Sequence, residues 1–536
     1  MNNIPYHSIN CLVNLGIGHW LFHNKINLLI LILLMLVALL PLWLVKYPPL
    51  EDLPAHLARV HIIENYNEPS SIYPDYFKVS WEPTPYLLTD VLLLILNYFF
   101  SPLTSVKLLL SLYVILLPLS IFYLFCSANK EYDIFFAFYS FFLIYNRYFN
   151  RGFISFALSL PIFFFTFGFF LKHRDKPSLI PWIWFGLLTI LLYLSHLFTY
   201  CIFLISLFIF LLIENKGIGY IPKTFCFLTP SLGLFLYCFL SLAKSEGKSY
   251  LEFRPWNPIT QLHQFKGAFL SFTPKTEMAI LAIPMLIVAI FFLIRLRSSG
   301  LLTCWKNGFS ADIRNGKNRF LLLTIILFLL YFFIPYYILP NALFFKERVA
   351  IFTFVYLILS LDLPRSRLFK IILMMVILLS TSIFLLNTLR NHIIVERNLE
   401  DYFSGFPKVE AHKKVLALTT FSIKDEIGHG QRPYINLGAY YYLERECVGP
   451  ALFDQWYMIL KYRYPKKLIF PTPRREKDDS LLKIPYDVLV AYDYLVLWGN
   501  KDIVENDSEI KPICHKIFEK GKLSIFRIEY DQGPKR

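Results

Sequence analysis

Charged residues are scarce in this chain of 536 residues, where Asp, Glu, Lys and Arg together make up 17%. Soluble globular domains carry about 25%. Hydrophobic residues reach 56% and aromatic residues 18%. This composition excludes an ordinary soluble domain. Because the apolar residues are concentrated in blocks of about 17–25 residues, the length that crosses a hydrocarbon core ~30 Å thick, the sequence predicts a multi-pass membrane protein.

The sequence also lacks the short motifs that mark many catalytic sites. It contains no P-loop, dinucleotide fingerprint, nucleophile elbow or zinc motif, and no pair of its eight cysteines has metal-ligand spacing. No metal or other cofactor is therefore predicted. Cys447 and Cys514 are the only cysteines near the C-terminus. They either form a disulfide, if that region is extracytoplasmic, or remain two buried thiols.

Apolar blocks account for most of the first 388 residues. They lie at 26–46, 86–100, 104–126, 133–149, 153–172, 179–195, 197–213, 221–243, 277–296, 319–339, 349–362 and 368–388. The first is too long for the core of a signal peptide and is expected to remain as a transmembrane helix. Ser195 and His196 predict a tight turn within 179–213, which is too long for one span. We expect 11–13 transmembrane helices.

The net charge of +15 is interpreted as membrane topology and not as nucleic-acid binding, because Lys and Arg fall mainly in short loops between blocks. Four such loops are predicted to be cytoplasmic: 172–176, 216–223, 295–319 and 365–370. The outer side of the cell's inner (cytoplasmic) membrane is then predicted to hold the intervening segments 244–276 and 340–348 and everything after residue 388.

The first outside loop, 47–85, does not fit this alternation. Counting back from residue 172 places the loop inside, whereas a first helix that enters from the cytoplasm places it outside. We predict that it lies outside and that one block within 86–213 is re-entrant or wrongly divided. Residues 1–388 thus form the predicted membrane domain.

The composition changes at about residue 389. Short runs rich in β-branched and aromatic residues alternate there with polar segments. Strands are predicted at 413–418, 488–492, 494–498 and 523–528. Residues 389–536 are therefore predicted to form a small, soluble, extracytoplasmic α/β domain.

Two adjacent carboxylates, Glu51 and Asp52, follow the first helix by only a few residues. Pro54 predicts the start of a helix over 53–66, on which Asp52, His56 and Arg59 share one face. The apolar residues Leu53, Leu57 and Val60 share another face, which suits a helix lying flat on a membrane. Alternatively, Asp52 is the N-cap of an ordinary solvated helix.

An acidic pair at this position, a long first outside loop, 10–13 helices and a C-terminal outside domain resemble the GT-C superfamily. Its members are polytopic glycosyltransferases that use polyprenyl-phosphate-linked sugars. The resemblance implies that Asp52 or Glu51 removes a proton from the acceptor hydroxyl. It also implies that basic side chains hold the phosphate leaving group.

Several basic residues near the predicted outer face are candidates for that second role. His56 and His196 are candidates to line the substrate cavity. Each basic residue is alternatively an interfacial anchor, and His196 is alternatively a helix cap. Asp90 lies within an apolar block, a position that suggests function in a membrane protein. The candidate phosphate ligands are Arg59, Arg147, Arg151, Lys346 and Arg348.

The sequence therefore predicts a membrane glycosyltransferase that transfers a sugar from a polyprenyl-phosphate donor to a lipid-linked glycan, a protein or another cell-envelope acceptor. Membrane lipids and these substrates are its predicted partners. The alternatives are a transporter or flippase of lipid-linked or small polar substrates, and a non-catalytic envelope assembly protein. A transporter predicts charges at mid-membrane and paired broken helices, and the sequence has few such charges and no internal repeat.

Overall fold

A computed structural model describes most of the chain. The described residues are 25–129, 135–214, 220–244, 250–252, 257–298, 316–335, 337–339, 346–362, 366–420, 433–453, 458–473 and 483–529. They divide into two compact units. Unit 1 comprises Met1–Leu40, Leu110–Arg147 and Ser155–Thr388. Unit 2 comprises Pro41–Leu109, Tyr148–Ile154 and Leu389–Arg536.

Helices dominate the described part of the chain. In chain order they are α1 (Lys25–Trp43), α2 (Leu53–Glu64), α3 (Tyr73–Tyr76), α4 (Leu87–Asn97), α5 (Pro102–Asn129), α6 (Phe141–Ile144), α7 (Arg147–Asn150), α8 (Ile154–His173), α9 (Leu179–Ser195), α10 (Leu197–Glu214), α11 (Tyr220–Lys244), α12 (Pro258–Gly267), α13 (Pro274–Ser298), α14 (Gly316–Phe333), α15 (Val349–Ser360), α16 (Arg367–Phe403), α17 (Tyr440–Arg445), α18 (Lys466–Ile469), α19 (Tyr486–Leu489) and α20 (Asp502–Glu505). Short 3₁₀ turns occupy Phe135–Ser140, Phe406–Lys408, Leu437–Ala439 and Lys511–Ile513.

Eight short strands accompany these helices in the described ranges. They are β1 (Phe77–Val79), β2 (Tyr250–Glu252), β3 (Tyr337–Leu339), β4 (Val415–Thr419), β5 (Leu460–Tyr462), β6 (Tyr494–Trp498), β7 (Cys514–Lys520) and β8 (Leu523–Ile528). Strands β1 and β5 form an antiparallel pair, as do β2 and β3. The other four strands form one sheet in the order β4-β6-β8-β7.

Five described helices are long and apolar enough to cross a membrane, judged by length and composition. They are Pro102–Ala128, Ile154–His173, Ile221–Ser241, Pro274–Ser298 and Leu368–Lys408. Shorter apolar helices of 10–17 residues occur at Asn27–Trp43, Leu87–Asn97, Leu179–Ser195, Leu197–Ile213 and Val349–Ser360. The chain is thus a largely helical protein with several candidate membrane spans and a small C-terminal region of strands.

The predicted turn at His196 is confirmed, because α9 ends at Ser195 and α10 begins at Leu197. The predicted block 133–149 is wrong as a single helix. Its described part consists of a 3₁₀ turn and the short helices α6 and α7. Buried Asn146 lies at the break, and its side-chain amide donates to the Leu143 carbonyl oxygen at 2.8 Å. Such a bond competes with the backbone hydrogen bonds that would continue a helix.

Helix α4 is too short to cross a membrane. It has 11 residues and is therefore about 16 Å long, well short of ~30 Å. The Lys107 ammonium, near the start of α5, donates to the Val45 carbonyl oxygen just after α1, at 2.6 Å. The end of α1 and the start of α5 consequently lie side by side, although the whole of α4 separates them in sequence.

The four-stranded sheet lies in unit 2. Strands β4 and β6 are parallel, whereas β6, β8 and β7 pair antiparallel. The predicted strands at 413–418, 494–498 and 523–528 are present as β4, β6 and β8. The predicted strand 488–492 is wrong, because α19 occupies Tyr486–Leu489, directly after Pro485, a residue favoured at helix starts.

The core of unit 2 combines residues from both ends of the sequence. Ala55, Ala58 and Ile62 of α2 belong to the same buried cluster as Leu416 and Leu495 of the sheet. The first loop and the C-terminal region therefore fold around one apolar core.

Helix α2 was predicted to present Leu53, Leu57 and Val60 to a membrane surface, and that prediction is wrong. All three are at most 1% exposed within the protein. An apolar face defined by spacing does not reveal whether lipid or protein covers it.

Both C-terminal cysteines are free thiols and are buried. Of the two alternatives for Cys447 and Cys514, the structure therefore has the unlinked form. Burial raises the pKa of Cys447 to about 11 and that of Cys514 to about 12, which keeps both thiols protonated and poorly nucleophilic at neutral pH.

Candidate carboxylate site

Glu51 and Asp52 lie in the short connection that leads into α2, within unit 2. Their backbone is held by the loop 148–154. The Glu51 amide donates to the Asn150 carbonyl oxygen at 3.2 Å, and the Asp52 amide donates to the Arg151 carbonyl oxygen at 3.0 Å. The acidic pair is thus fixed by a segment about 100 positions away in sequence.

Gly152 makes this close approach feasible. Its φ of 77° lies in the left-handed region, which residues with a side chain rarely adopt. A Cβ atom at this position would lie 2.6 Å from the Asp52 nitrogen and 3.0 Å from the Leu53 nitrogen. Any residue larger than glycine would therefore push the loop away from the acidic pair.

Asp52 occupies the N-cap position of α2, but its side chain makes no capping hydrogen bond. Its Oδ1 atom instead accepts from the Asn436 side-chain amide at 2.9 Å. The same amide donates to the Glu51 carbonyl oxygen at 3.0 Å. An ordinary N-cap carboxylate bonds to the first-turn amides. This one is oriented by the C-terminal region.

The Glu51 side chain is mostly buried beside a cation. Its Oε2 lies 4.0 Å from the Arg151 Nε, at the outer limit of an ion pair, and the two side chains are 10% and 12% exposed. A buried carboxylate requires a polar partner to offset the loss of water. Glu51 and Arg151 therefore form a mostly buried ion pair beside Asp52.

Loop 148–154 is itself anchored from α16. His392 is fully buried, its Nδ1 lies 2.9 Å from the Pro41 carbonyl oxygen, and its Nε2 lies 3.4 Å from Asn150 Oδ1. Because the Asn150 carbonyl oxygen accepts from Glu51, this histidine supports the acidic pair through one intermediate residue.

Arg59 makes contacts that do not suit its predicted role as a phosphate ligand. Its Nε lies 3.1 Å from both carboxylate oxygens of Asp90, and its Nη2 donates to Asp90 Oδ1 at 2.5 Å. Both side chains are about 95% buried. Asp90 is therefore the counter-ion of Arg59, and that edge of the guanidinium is not available to a substrate phosphate.

His56 completes a buried chain with Arg59. The Arg59 Nη2 lies 2.8 Å from His56 Nδ1. Because a guanidinium only donates, Nδ1 accepts and the ring proton resides on Nε2. Burial and the Arg59 charge hold the pKa of His56 well below its usual range, opposed by a hydrogen bond to the Gly152 backbone. Neutral His56 thus links Arg59 to the glycine that contacts Asp52.

The remaining predicted residues lie in unit 1. The backbone amide of Arg147 donates to the Ala268 carbonyl oxygen at 3.2 Å. The Lys346 ammonium donates to Gln261 Oε1 at 3.0 Å and lies 4.9 Å from the centre of the Tyr331 ring. These contacts attach both residues to the region around α12.

His196 and Arg348 come together within unit 1. The Arg348 Nη1 lies 3.1 Å from His196 Nε2, so the unprotonated Nε2 accepts. The guanidinium also lies 5.2 Å from the centre of the Phe156 ring, which packs edge-on against His196 at 5.3 Å. The structure therefore joins two of the predicted substrate-binding residues.

Four residues that the sequence did not single out complete the site in unit 2. Asn436, Asn150 and His392 carry no local motif, since their partners are distant in sequence. Gly152 sits in Arg-Gly-Phe, and a lone glycine in a loop is a weak signal. Among the described residues, no group of three or more His, Cys, Asp or Glu residues is placed to hold a metal ion.

A search with models of known protein families finds no match to this chain, and neither does a comparison with curated proteins.

Proposed function

We propose that this chain is a polytopic glycosyltransferase of the GT-C type, which transfers a sugar from a polyprenyl-phosphate donor to a lipid-linked or cell-envelope acceptor. The observation that carries the proposal is the state of Asp52. Its carboxylate lies at a helix start but does not cap the helix. A distant asparagine and a tight backbone loop hold it instead, which is the preorganisation that a catalytic carboxylate needs.

The proposed chemistry requires one base and one cation. The base, Asp52 or Glu51, takes the proton from the acceptor hydroxyl as the new glycosidic bond forms. The bond between the sugar and the lipid phosphate breaks, and the phosphate departs with its negative charge. Arg151, beside Glu51, is the described cation best placed to stabilise that charge.

We also propose eleven membrane spans, with the acidic pair on the outer side. Leaving α4 out of the twelve predicted blocks removes the conflict in the alternation of sides, provided that the block 133–149 still crosses the membrane as the 3₁₀ turn and short helices α6 and α7, whose described residues are mostly buried within the protein. Residues 47–85 then lie outside, together with 148–154 and 389–536. The contact between Lys107 and Val45 supports this topology, because it requires α5 to start on the side where α1 ends.

The distribution of charge does not favour a transporter. In four of the five candidate spans, every Lys, Arg, Asp and Glu lies within six residues of a helix end. These spans are Pro102–Ala128, Ile154–His173, Ile221–Ser241 and Pro274–Ser298. In the fifth, Leu368–Lys408, the interior charges begin at Arg390, after the apolar block 368–388. Asp90, the acid inside an apolar block, is neutralised by Arg59 in unit 2. Ion-coupled transporters instead place such groups near the middle of the membrane.

The test is a double substitution, Glu51→Gln with Asp52→Asn. It keeps the shape of both side chains but removes the base, and we expect it to reduce sugar transfer by at least ~100-fold. Transfer is measured in membrane vesicles that contain radiolabelled polyprenyl-phosphate sugars, as label incorporated into lipid-linked and envelope acceptors. Protein level and melting temperature are recorded in the same preparations.

A matched control is Glu68→Gln with Asp75→Asn, which alters two exposed acids of the same unit and should leave transfer unchanged. Wild-type transfer rates in the double mutant of Glu51 and Asp52 would contradict the proposal. So would the absence of any label transfer that depends on the wild-type chain.

A further inference from the structure

Helix α4 has the opposite polarity to a helix that faces water. Two of its three polar residues, Thr89 and Asp90, are at most 2% exposed, and Asp90 pairs with Arg59 of α2. A surface helix of a soluble protein instead turns its apolar residues inward. The outer side of α4 therefore suits an apolar environment. It carries partly or fully exposed apolar residues, namely Leu88, Leu92, Ile95 and Leu96.

Three aromatic residues, which we call the aromatic turn, directly follow α4. Tyr98, Phe99 and Phe100 are 84%, 69% and 47% exposed. The ring of Phe99 contacts both of its neighbours, at 5.0 Å and 6.5 Å between centres, so the three rings form one patch. A contiguous exposed apolar patch marks contact with a membrane or with a partner. The proposed transfer reaction makes no use of this patch.

The aromatic turn leads straight into a candidate membrane span. Helix α5 begins at Pro102, two residues after Phe100, and contains the span Pro102–Ala128. It has 28 residues and is therefore about 42 Å long. That length exceeds the hydrocarbon core of ~30 Å and matches the ~40–45 Å of a bilayer with its headgroups. A helix of this length that crosses a membrane places its first turn in the headgroup layer.

The end of α1 carries interfacial residues beside the start of α5. The Lys107 ammonium lies 5.7 Å from the centre of the Trp43 ring. Trp43 is 44% exposed, and the next residue, Leu44, is 59% exposed. Tryptophan and tyrosine are enriched at membrane–water interfaces, and lysine extends its ammonium to that level. These neighbours favour lipid over a partner protein as the cover of the aromatic turn.

We infer that α4 and the aromatic turn anchor unit 2 in the interface of the membrane that α5 crosses, so that phospholipid covers Tyr98, Phe99 and Phe100. The buried pair of Asp90 and Arg59 joins this anchor to α2, the helix that starts at the acidic pair. The inference requires α5 to be a membrane span. It does not require glycosyltransferase activity, because lipid contact is measured without any transfer reaction.

The experiment is photo-cross-linking of the full-length protein in phosphatidylcholine vesicles. Phe99→p-benzoylphenylalanine is the test variant and Tyr464→p-benzoylphenylalanine is the matched control. Tyr464 is an aromatic residue of the same unit and is 59% exposed, but the exposed residues Arg463 and Lys467 lie near it in the sequence, so we expect water around it. After irradiation, mass spectrometry of the intact protein should show at least tenfold more phospholipid adduct at position 99 than at position 464.

Leu286→p-benzoylphenylalanine is the positive control, since Leu286 is 60% exposed and lies in the middle of the candidate span Pro274–Ser298. Lipid adducts at position 286 but not at position 99 would overturn the inference and leave the candidate spans standing. Equal labelling at positions 99 and 464 would overturn it, as would cross-links from position 99 mainly to a second copy of this chain or to another protein. No lipid adduct at either 99 or 286 would overturn it together with the span Pro274–Ser298.

Discussion

Unit 1 and unit 2 each contain a buried histidine in contact with an arginine, and the two pairs are built differently. In unit 2, His56 and Arg59 are one turn apart on α2, and the Asp90 carboxylate binds the guanidinium on two atoms. In unit 1, His196 and Arg348 are 152 positions apart, and the guanidinium contacts both the His196 imidazole and the Phe156 ring.

The two pairs differ in the kind of group that contacts the guanidinium. A carboxylate cancels the charge of Arg59 and locks one edge of its guanidinium, so that edge is structural. Imidazole and an aromatic ring offer Arg348 weaker, neutral contacts. The contacts with His196 and Phe156 therefore orient Arg348 without cancelling its charge, and each pair predicts a different response to mutation.

The largest effect is expected from Asp90→Asn. This change keeps the shape of the side chain but leaves the buried Arg59 without a counter-ion, and breaking such a pair costs about 3–5 kcal/mol. We expect a loss of that size in the free energy of unfolding, measured as a fall in melting temperature of the full-length protein in detergent.

Asp362→Asn is the matched control for that change. Asp362 also pairs with an arginine, Arg295, at 3.1 Å, but its side chain is 52% exposed. Exposed pairs contribute only ~0–1 kcal/mol. Equal losses of stability in the two variants would mean that the buried pair of Arg59 and Asp90 contributes no more than the exposed pair. Replacing both partners, as Arg59→Met with Asp90→Leu, should recover most of the lost stability.

Sequence reasoning found the parts of unit 2 whose signals are local. Composition and spacing predict the start of α2 at Leu53, next to Pro54. They also predict the acidic pair and three of the four strands in the main sheet. Strand β7 was missed because it is an edge strand with His515, Lys516, Glu519 and Lys520 exposed, so it lacks the alternation that predicts strands.

The arrangement of the site depended on contacts that no spacing encodes. Helical periodicity places Asp52, His56 and Arg59 on one face, and it predicts a shared role. It does not reveal that Asp90 pairs with Arg59 or that Asn436 orients Asp52, because both partners come from other elements. Helical periodicity does not reveal the burial of α2 either, because the residues that cover this helix come from other elements.

A smaller effect is expected from the pH dependence that His56 gives to the stability of unit 2. Because burial and the Arg59 charge lower the pKa of His56 in the folded state, the unfolded chain binds a proton below pH ~6.5 that the folded chain does not. Folding stability should therefore fall as the pH drops below ~6.5, by at most ~1.4 kcal/mol per pH unit from this residue.

The measurement is the melting temperature between pH 7 and pH 5 for wild type and His56→Gln. Glutamine cannot titrate, so the stability of His56→Gln should change less steeply with pH. The decrease in slope corresponds to at most one bound proton. His61, on the same helix, also has a pKa lowered by burial, and His61→Gln separates its contribution. An unchanged slope in His56→Gln would show that His56 is not held neutral.

The smallest effect concerns the aromatic contact of Arg348. Phe156→Leu removes the ring beneath the guanidinium, and a double-mutant cycle with Arg348→Met isolates their interaction, expected to be about 0.5–2 kcal/mol. Phe198→Leu is the control, since Phe198 is buried and packs near both Phe156 and His196. Its effect should be additive with that of Arg348→Met. If the effects of Phe156→Leu and Arg348→Met also add, the ring does not stabilise the cation.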